Sequence, residues 1–150
     1  MGVIADYFAA EHRGCDEGFA TAEEAAQIGD LTGCQARFQQ FHAAMERHFR
    51  QEEEELFPAF EQASGNVMGP TQVMRLEHQQ MRDTLAEMDS VLVGGDLEEF
   101  LGQAETLLIL MQQHNIKEEQ ILYPMCDRFL GNAAGSVLDA ARNLAAGESP

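Results

Sequence analysis

The chain has 150 residues, 45% of them hydrophobic, and 26 acidic residues against nine Lys and Arg give a formal net charge of −17 at pH 7. A charge of that sign repels phosphate backbones and anionic membrane surfaces, so neither nucleic acid nor a membrane is an expected partner. No apolar run approaches the roughly 20 residues that a spanning helix requires, and the N-terminus shows no basic leader before an apolar stretch. We therefore expect one soluble, cytoplasmic domain over residues 1–150.

Hydrophobic residues recur at helical spacing in four long stretches, and no stretch alternates as a β-strand does. The predicted helices cover Val3–Ile28, Leu31–Ala63, Thr71–Val93 and Leu97–Leu130. Glycines separate them, and Asp30 and Asp96 are predicted N-caps. Because the connections are short, the sequence predicts an all-α, up-down-up-down four-helix bundle over about residues 3–130. The segment Ser136–Leu144 can form a short accessory helix after the bundle.

The sequence matches itself at an offset of 66 residues, which is the separation of His12 from His78. The same offset places His48 on His114, Glu52-Glu53 on Glu118-Glu119, and Leu56-Phe57-Pro58 on Leu122-Tyr123-Pro124. Four of the five histidines are thus superposed in two pairs. The fifth, His42, falls on Leu108, and we interpret it as a packing or surface residue. The repeat marks a candidate site shared by the two halves.

Each half contains one His-x-x-x-Glu pair, His48 with Glu52 and His114 with Glu118, and this spacing puts both side chains on one helix face. The next glutamate in each half lies about 140° round the helix from its histidine, against about 40° for the first, at ~100° per residue. Hence we choose the first glutamates as ligands. Loss of the second, Glu53 or Glu119, is expected to spare metal binding.

His12 and His78 come from the other two predicted helices, at heights similar to those of the paired histidines. Four imidazoles and two carboxylates suit iron or manganese better than the thiolate sites that zinc or copper(I) prefer. If both glutamates bridge, the donors suffice for two ions, one with His12 and His48 or a related pairing and the other with His78 and His114. An oxo or hydroxo bridge would leave an open position for dioxygen, nitric oxide or peroxide.

Together these motifs resemble the hemerythrin-like, or HHE cation-binding, domain family over nearly the whole chain. The resemblance implies a four-helix bundle with a non-haem di-iron centre. It gives ligand roles to His12, His48, Glu52, His78, His114 and Glu118. The oxygen-carrying members have a fifth histidine four residues before the third-helix histidine, where this chain has Met74. They also have an aspartate at spacing five in the last helix. Reversible oxygen carriage is therefore not expected.

Two classes of function stay open from the sequence. One is a small-ligand di-iron protein for sensing, storage or detoxification; the other is a di-iron enzyme or iron donor acting in peroxide or nitric oxide removal or iron–sulfur cluster repair. The sequence does not orient Tyr7, Cys15, Glu23 or Glu24 relative to the site. The three cysteines show no metal spacing, and we interpret them as reduced and mostly buried. No protein partner is indicated.

Overall fold

The computed structural model of the protein describes the backbone of residues 2–147 and the side chains of residues 2–144. Its elements, in chain order, are α1 (Val3–Gln27), α2 (Leu31–Gln51), a π-helical turn (Glu52–Leu56), α3 (Phe57–Ser64), α4 (Pro70–Val93), α5 (Leu97–Lys117), a second π-helical turn (Glu118–Leu122), α6 (Tyr123–Leu130), a 3₁₀ turn (Gly131–Ala133) and α7 (Ala134–Gly147). Within this part of the chain there is no strand. The all-α four-helix bundle is confirmed, with α1, α2–α3, α4 and α5–α6 as its four long helices.

The predicted helix starts are built as the sequence indicates. The Asp30 carboxylate accepts a hydrogen bond from the Gly33 N–H at 2.9 Å, and that of Asp96 accepts one from the Glu99 N–H at 3.0 Å. Both therefore satisfy an N–H that the first helical turn leaves free. The preceding turns reverse the chain, so α1 packs against α2, and α4 against α5.

The two π-helical turns were not predicted, because the hydrophobic period reads as a continuous α-helix through both. Each turn starts at the glutamate of a His-x-x-x-Glu pair and is followed by a proline, Pro58 or Pro124. Proline has no N–H, and its ring crowds the carbonyl four residues earlier, so a local switch to wider hydrogen bonding relieves the conflict. The repeated proline was the available signal.

The bundle core consists of two apolar clusters. One contains Phe19, Phe38, Phe41, Leu85 and Phe100, towards the α1–α2 and α4–α5 turns. The other includes Ile4, Phe8, Phe60 and Leu130 at the opposite end. The buried histidines and glutamates belong to neither cluster and lie along the chain between them, so apolar side chains flank the polar group on both sides.

Helix α7 breaks the symmetry of the two halves. It is longer than the predicted accessory helix and packs against α1, α2 and the first π-helical turn. Its buried side chains include Leu138 and Ala141, and the Gln51 side-chain amide donates to the Ala141 carbonyl at 3.2 Å. The first half of the repeat is therefore covered by an extra helix. Among the described helices, none has the length and apolar character needed to cross a bilayer.

Candidate metal centre

The six residues chosen from the sequence meet in the middle of the bundle. Each of the four long helices contributes one histidine, and the two glutamates come from the π-helical turns. All are buried, with exposed fractions between 0% and 4%: His12, His48, Glu52, His78, His114 and Glu118. Burying this many ionisable groups is costly unless they are paired or bind a metal. The six side chains therefore form a buried polar cluster, called the centre below, that requires either internal pairing or a bound metal ion.

Glu118 lies at the middle of this centre. One of its oxygens, Oε1, is 2.9 Å from His12 Nε2, 3.1 Å from His114 Nε2 and 4.0 Å from His48 Nε2. Its second oxygen is 3.8 Å from His78 Nε2. Glu118 thus approaches all four imidazoles.

Glu52 reaches fewer partners. Its Oε1 atom is 3.0 Å from His78 Nε2 and 3.3 Å from His48 Nε2. The donor atoms fall into two groups, in each of which they lie within 4.8 Å of one another: Glu52, His78, His114 and Glu118 form one, and His12, His48 and Glu118 the other. The structure therefore separates the donors into two adjacent sets, with Glu118 in both.

Many of these atoms are close together without making hydrogen bonds. Within the centre, six buried polar atoms have no hydrogen-bond partner among the described residues: His48 Nδ1 and Nε2, Glu52 Oε1, His78 Nε2, His114 Nε2 and Glu118 Oε2. An unsatisfied buried polar atom costs about 1–3 kcal/mol, so such a concentration of them needs an explanation. Imidazole nitrogens and carboxylate oxygens that share a small buried space fit a metal ion.

The electrostatics of the centre point the same way. Burial lowers the pKa of His78, but the neighbouring carboxylates of Glu118, Glu52 and Glu53 outweigh it and raise the pKa to about 10. Burial likewise opposes charge on His48 and His114, yet neighbouring carboxylates raise the pKa of both. The carboxylates thus favour positive charge in this space, and a bound cation would supply it in place of the protons.

A second layer of carboxylates holds the outer nitrogens of the histidines. Nδ1 lies 2.6 Å from Glu119 in His12, 2.7 Å from Glu53 in His78, and 2.8 Å from Glu77 in His114. In His48 it lies 3.8 Å from Glu11. These contacts orient the rings so that Nε2 points inward, as is usual for metal-binding histidines.

This layer corrects the interpretation of the second glutamates. Glu53 and Glu119 do point away from their own helical histidines, but each reaches the histidine of another bundle helix. Their loss is therefore no longer expected to spare metal binding. The angular argument treated each helix alone, whereas the contacts form between helices. The repeat contained the signal, since Glu11-Glu77 and Glu53-Glu119 are matched pairs.

Tyr123 is part of the centre and was missed. Its buried hydroxyl lies 2.6 Å from Glu52 Oε2, 2.8 Å from Glu118 Oε1 and 3.1 Å from His12 Nε2. Burial, followed by the charges of Glu118 and Glu52, raises the pKa of this tyrosine well above its ordinary value, so it is a neutral hydrogen-bond donor. The π-helical turn places it there, because it begins α6 directly after that turn.

The residues left unoriented by the sequence lie away from the centre. The Tyr7 hydroxyl accepts a hydrogen bond from Gln51 at 3.0 Å, and Cys15 is buried in the apolar cluster near the turns. Glu24 is exposed, while Glu23 lines a surface cleft beside α1. His42 packs its ring 5.5 Å from that of Phe38. The three cysteines are free and buried, as expected.

A helical bundle with two adjacent His/Glu donor sets in its core is the architecture of non-haem metal-binding bundle proteins. Residues 3–126 match the family described as the hemerythrin HHE cation binding domain. The chain therefore belongs to that family, and its buried His/Glu groups are compatible with a metal site. A search of curated proteins and a search of solved structures each found no match.

Proposed function

We propose that the chain binds two iron ions at this centre and uses them to bind a small ligand, dioxygen, nitric oxide or peroxide, for sensing, storage or detoxification. The observation that carries the proposal is the pair of adjacent donor sets, in which buried nitrogens and oxygens lack hydrogen-bond partners among the described residues. The imidazole and carboxylate donors favour iron over thiolate-seeking metals. Bound iron would supply exchangeable coordination positions and electrons for the small ligand.

The ligands proposed for one ion are His78 and His114, and those for the other are His12 and His48. Glu118, which belongs to both donor sets, and Glu52, whose Oε1 lies 3.0 Å from His78 Nε2 and 3.3 Å from His48 Nε2, would each be shared by the two ions. The outer glutamates hold the imidazole rings in place, and the apolar clusters on either side exclude water. The chain's own residues would thus orient the donors and surround them with apolar side chains.

Metal content tests this proposal directly. Protein purified anaerobically from iron-replete cells should carry about two irons per chain, since the donors form two sets. His42→Ala, which removes the histidine that lies outside the centre, should leave that content unchanged. A stoichiometry that stays at one, or zinc in both positions despite ample iron, would contradict the di-iron proposal.

Reaction with air separates oxygen carriage from the other roles. The side chain at the position of the fifth histidine is Met74, which is buried and one turn before His78 on α4. With only two imidazoles for each ion, we expect the di-ferrous protein to oxidise irreversibly in air within minutes. Met74→His should shift it towards reversible binding, as followed by visible absorption during oxygen removal. A stable, reversible oxygen adduct of the unmodified protein would restore oxygen carriage.

A further inference from the structure

A cleft of about 600 Å³ opens on the surface between α1, α5 and the second π-helical turn. It is lined by the carboxylates of Asp16, Glu23 and Glu119 and by polar side chains that include Gln112 and Asn115. Hard oxygen groups of this kind attract divalent cations. Phe19, Leu108 and Ile116 also line the cleft, so its walls are largely apolar and carry these carboxylates among them.

The cleft ends at the metal centre, with a single layer of side chains between them. Glu119 lines the cleft, and its carboxylate is 2.6 Å from His12 Nδ1. The opposite nitrogen of the same ring, Nε2, is 2.9 Å from Glu118 inside the centre. The Glu119 side chain is 41% exposed, whereas His12 is buried. The side chains of Glu119 and His12 therefore separate an ion in the cleft from the inner donors.

The equivalent corner, around His78, carries an arginine in place of an acidic residue. At the position that matches Asp16, 66 residues later, stands Arg82, whose guanidinium binds Glu53 through two contacts of 2.9 Å and Glu46 through two more. Arg82 also lies over the Phe49 ring, 5.1 Å from its centroid, where the first corner has Asn115. A cation approaching Glu53 therefore meets a fixed positive charge.

The histidines of the two corners differ in the same sense. His78 is stacked on Phe49 with ring centroids 4.2 Å apart and lies 5.7 Å from Phe57, so its ring has little room to turn. The ring of His12 has no phenylalanine at the position equivalent to Phe49, because Asn115 stands there and lines the cleft. The corner at His12 therefore lacks the Phe49 ring and the Arg82 guanidinium, while the ring of Tyr123, which matches Phe57, lies 5.6 Å from that of His12.

From this contrast we propose that the cleft between α1 and α5 is the route by which ferrous ion reaches the centre, with Asp16 and Glu23 attracting the ion and the Glu119–His12 pair acting as the gate. The inference rests on the proposed function, because it assumes that iron is the metal loaded. The donors are buried, so an ion has to cross a protein layer to reach them. A neutral diatomic ligand gains nothing from the acidic walls.

A steric plug tests the route. Ala20 is exposed and lines the cleft, and its repeat equivalent, Ala86, is exposed on α4. Ala20→Trp should slow anaerobic ferrous uptake by the metal-free protein about tenfold. The rate is measured by stopping uptake with a chelator at set times and determining the iron bound to the protein. Ala86→Trp should leave the rate within about twofold of the unmodified protein. If Ala86→Trp alone slows uptake, the entrance is at the other corner and the proposal is overturned.

Charge variants test whether the acidic side chains of the cleft attract the ferrous ion. The double variant Asp16→Asn with Glu23→Gln should slow ferrous uptake several-fold at low ionic strength, and salt should reduce the difference. The matched control is Glu17→Gln with Glu24→Gln, which removes the same charge from exposed positions of α1 outside the cleft. Equal slowing by both doubles would attribute the effect to net charge and overturn the proposal.

The route and the function fail in different ways. Variants that reach two irons at the unmodified rate would overturn the route and leave the di-iron proposal intact. An unmodified chain that takes up no iron would overturn the di-iron proposal itself. If Ala20→Trp slows the binding of nitric oxide to the loaded protein while the charge double loads iron normally, the cleft is a channel for the small ligand, and the cation route is wrong.

Discussion

His12 and His78 occupy equivalent positions in the two halves of the chain, yet the outer parts of their surroundings differ. His78 stacks on Phe49 and contacts a glutamate that Arg82 holds in place. His12 contacts a glutamate that lines an open cleft, and the Tyr123 hydroxyl lies 3.1 Å from its inner nitrogen. The inner donors are thus duplicated, whereas the layer around them is specialised. In the proposed route, the ion enters at the corner around His12 and not at the corner around His78.

The two glutamates at the middle of the centre are likewise unequal. Glu118 approaches all four imidazoles, while Glu52 approaches those of His48 and His78. The difference follows from position, since only Glu118 belongs to both donor sets. The repeat alone would make the two glutamates equivalent.

The largest effect is expected from removing these glutamates. Glu118→Ala should reduce bound iron from about two per chain to well below one, since both donor sets lose an oxygen. Glu52→Ala should retain more iron, because each donor set then still has two histidines and Glu118. Metal analysis after gel filtration measures both, and Glu54→Ala, at an exposed position of the same π-helical turn, is the control. Equal loss from Glu118→Ala and Glu52→Ala would show that the centre is symmetric.

An intermediate effect is expected from the outer carboxylates. Glu53→Ala should weaken metal affinity about 100-fold, because it frees His78 Nδ1 and leaves the Arg82 guanidinium bound to Glu46 alone. Glu119→Ala should weaken it only about tenfold, since this more exposed carboxylate can be replaced by water. Competition with a chelator of known affinity gives the two values. A larger loss of metal affinity for Glu119→Ala than for Glu53→Ala would contradict the view that His78 depends more strongly than His12 on its outer carboxylate.

Sequence reasoning succeeded where one helix decides the outcome. The spacing of His48 from Glu52 is a property of a single α-helix, and so are the hydrophobic period and the Asp30 N-cap. The bundle and the meeting of six donors followed from these local features together with the repeat. The predicted ends of the four long helices agree with the structure to within a residue.

The features that sequence reasoning missed depend on contacts between helices or on the local change from α-helix to π-helix. The angular position of Glu53 on its own helix does not reveal that it meets His78 across the bundle. In the sequence, Tyr123 was interpreted only as the match of Phe57. A continuous α-helix does not predict that its hydroxyl lies beside Glu52, because the π-helical turn before it changes the direction of the side chain. The contrast between Arg82 and Asp16 becomes evident only when the two halves are superposed, because Arg82 then binds Glu53 where Asp16 lines the cleft beside Glu119.

The smallest effect, and the one that isolates a single atom, is expected from Tyr123→Phe. This change gives the second half the residue that the first half has at Phe57, and it removes only a hydroxyl. In the metal-free protein the Glu52 carboxylate then loses a donor at 2.6 Å. A hydrogen bond to a charged group contributes about 1.5–3 kcal/mol, so the free energy of unfolding in urea should fall by about 1.5 kcal/mol.

Metal should conceal much of this loss, because a carboxylate that coordinates an ion is already satisfied. We therefore expect the difference between Tyr123→Phe and the unmodified protein to shrink in the iron-loaded form, measured under anaerobic conditions. Tyr7→Phe is the matched control, since Tyr7 is the other tyrosine of the chain and its hydroxyl bonds to the neutral Gln51 amide. Its effect should be about the same with and without iron. If Tyr123→Phe behaves as Tyr7→Phe does, the hydroxyl serves packing alone, and the two halves are more alike than their contacts indicate.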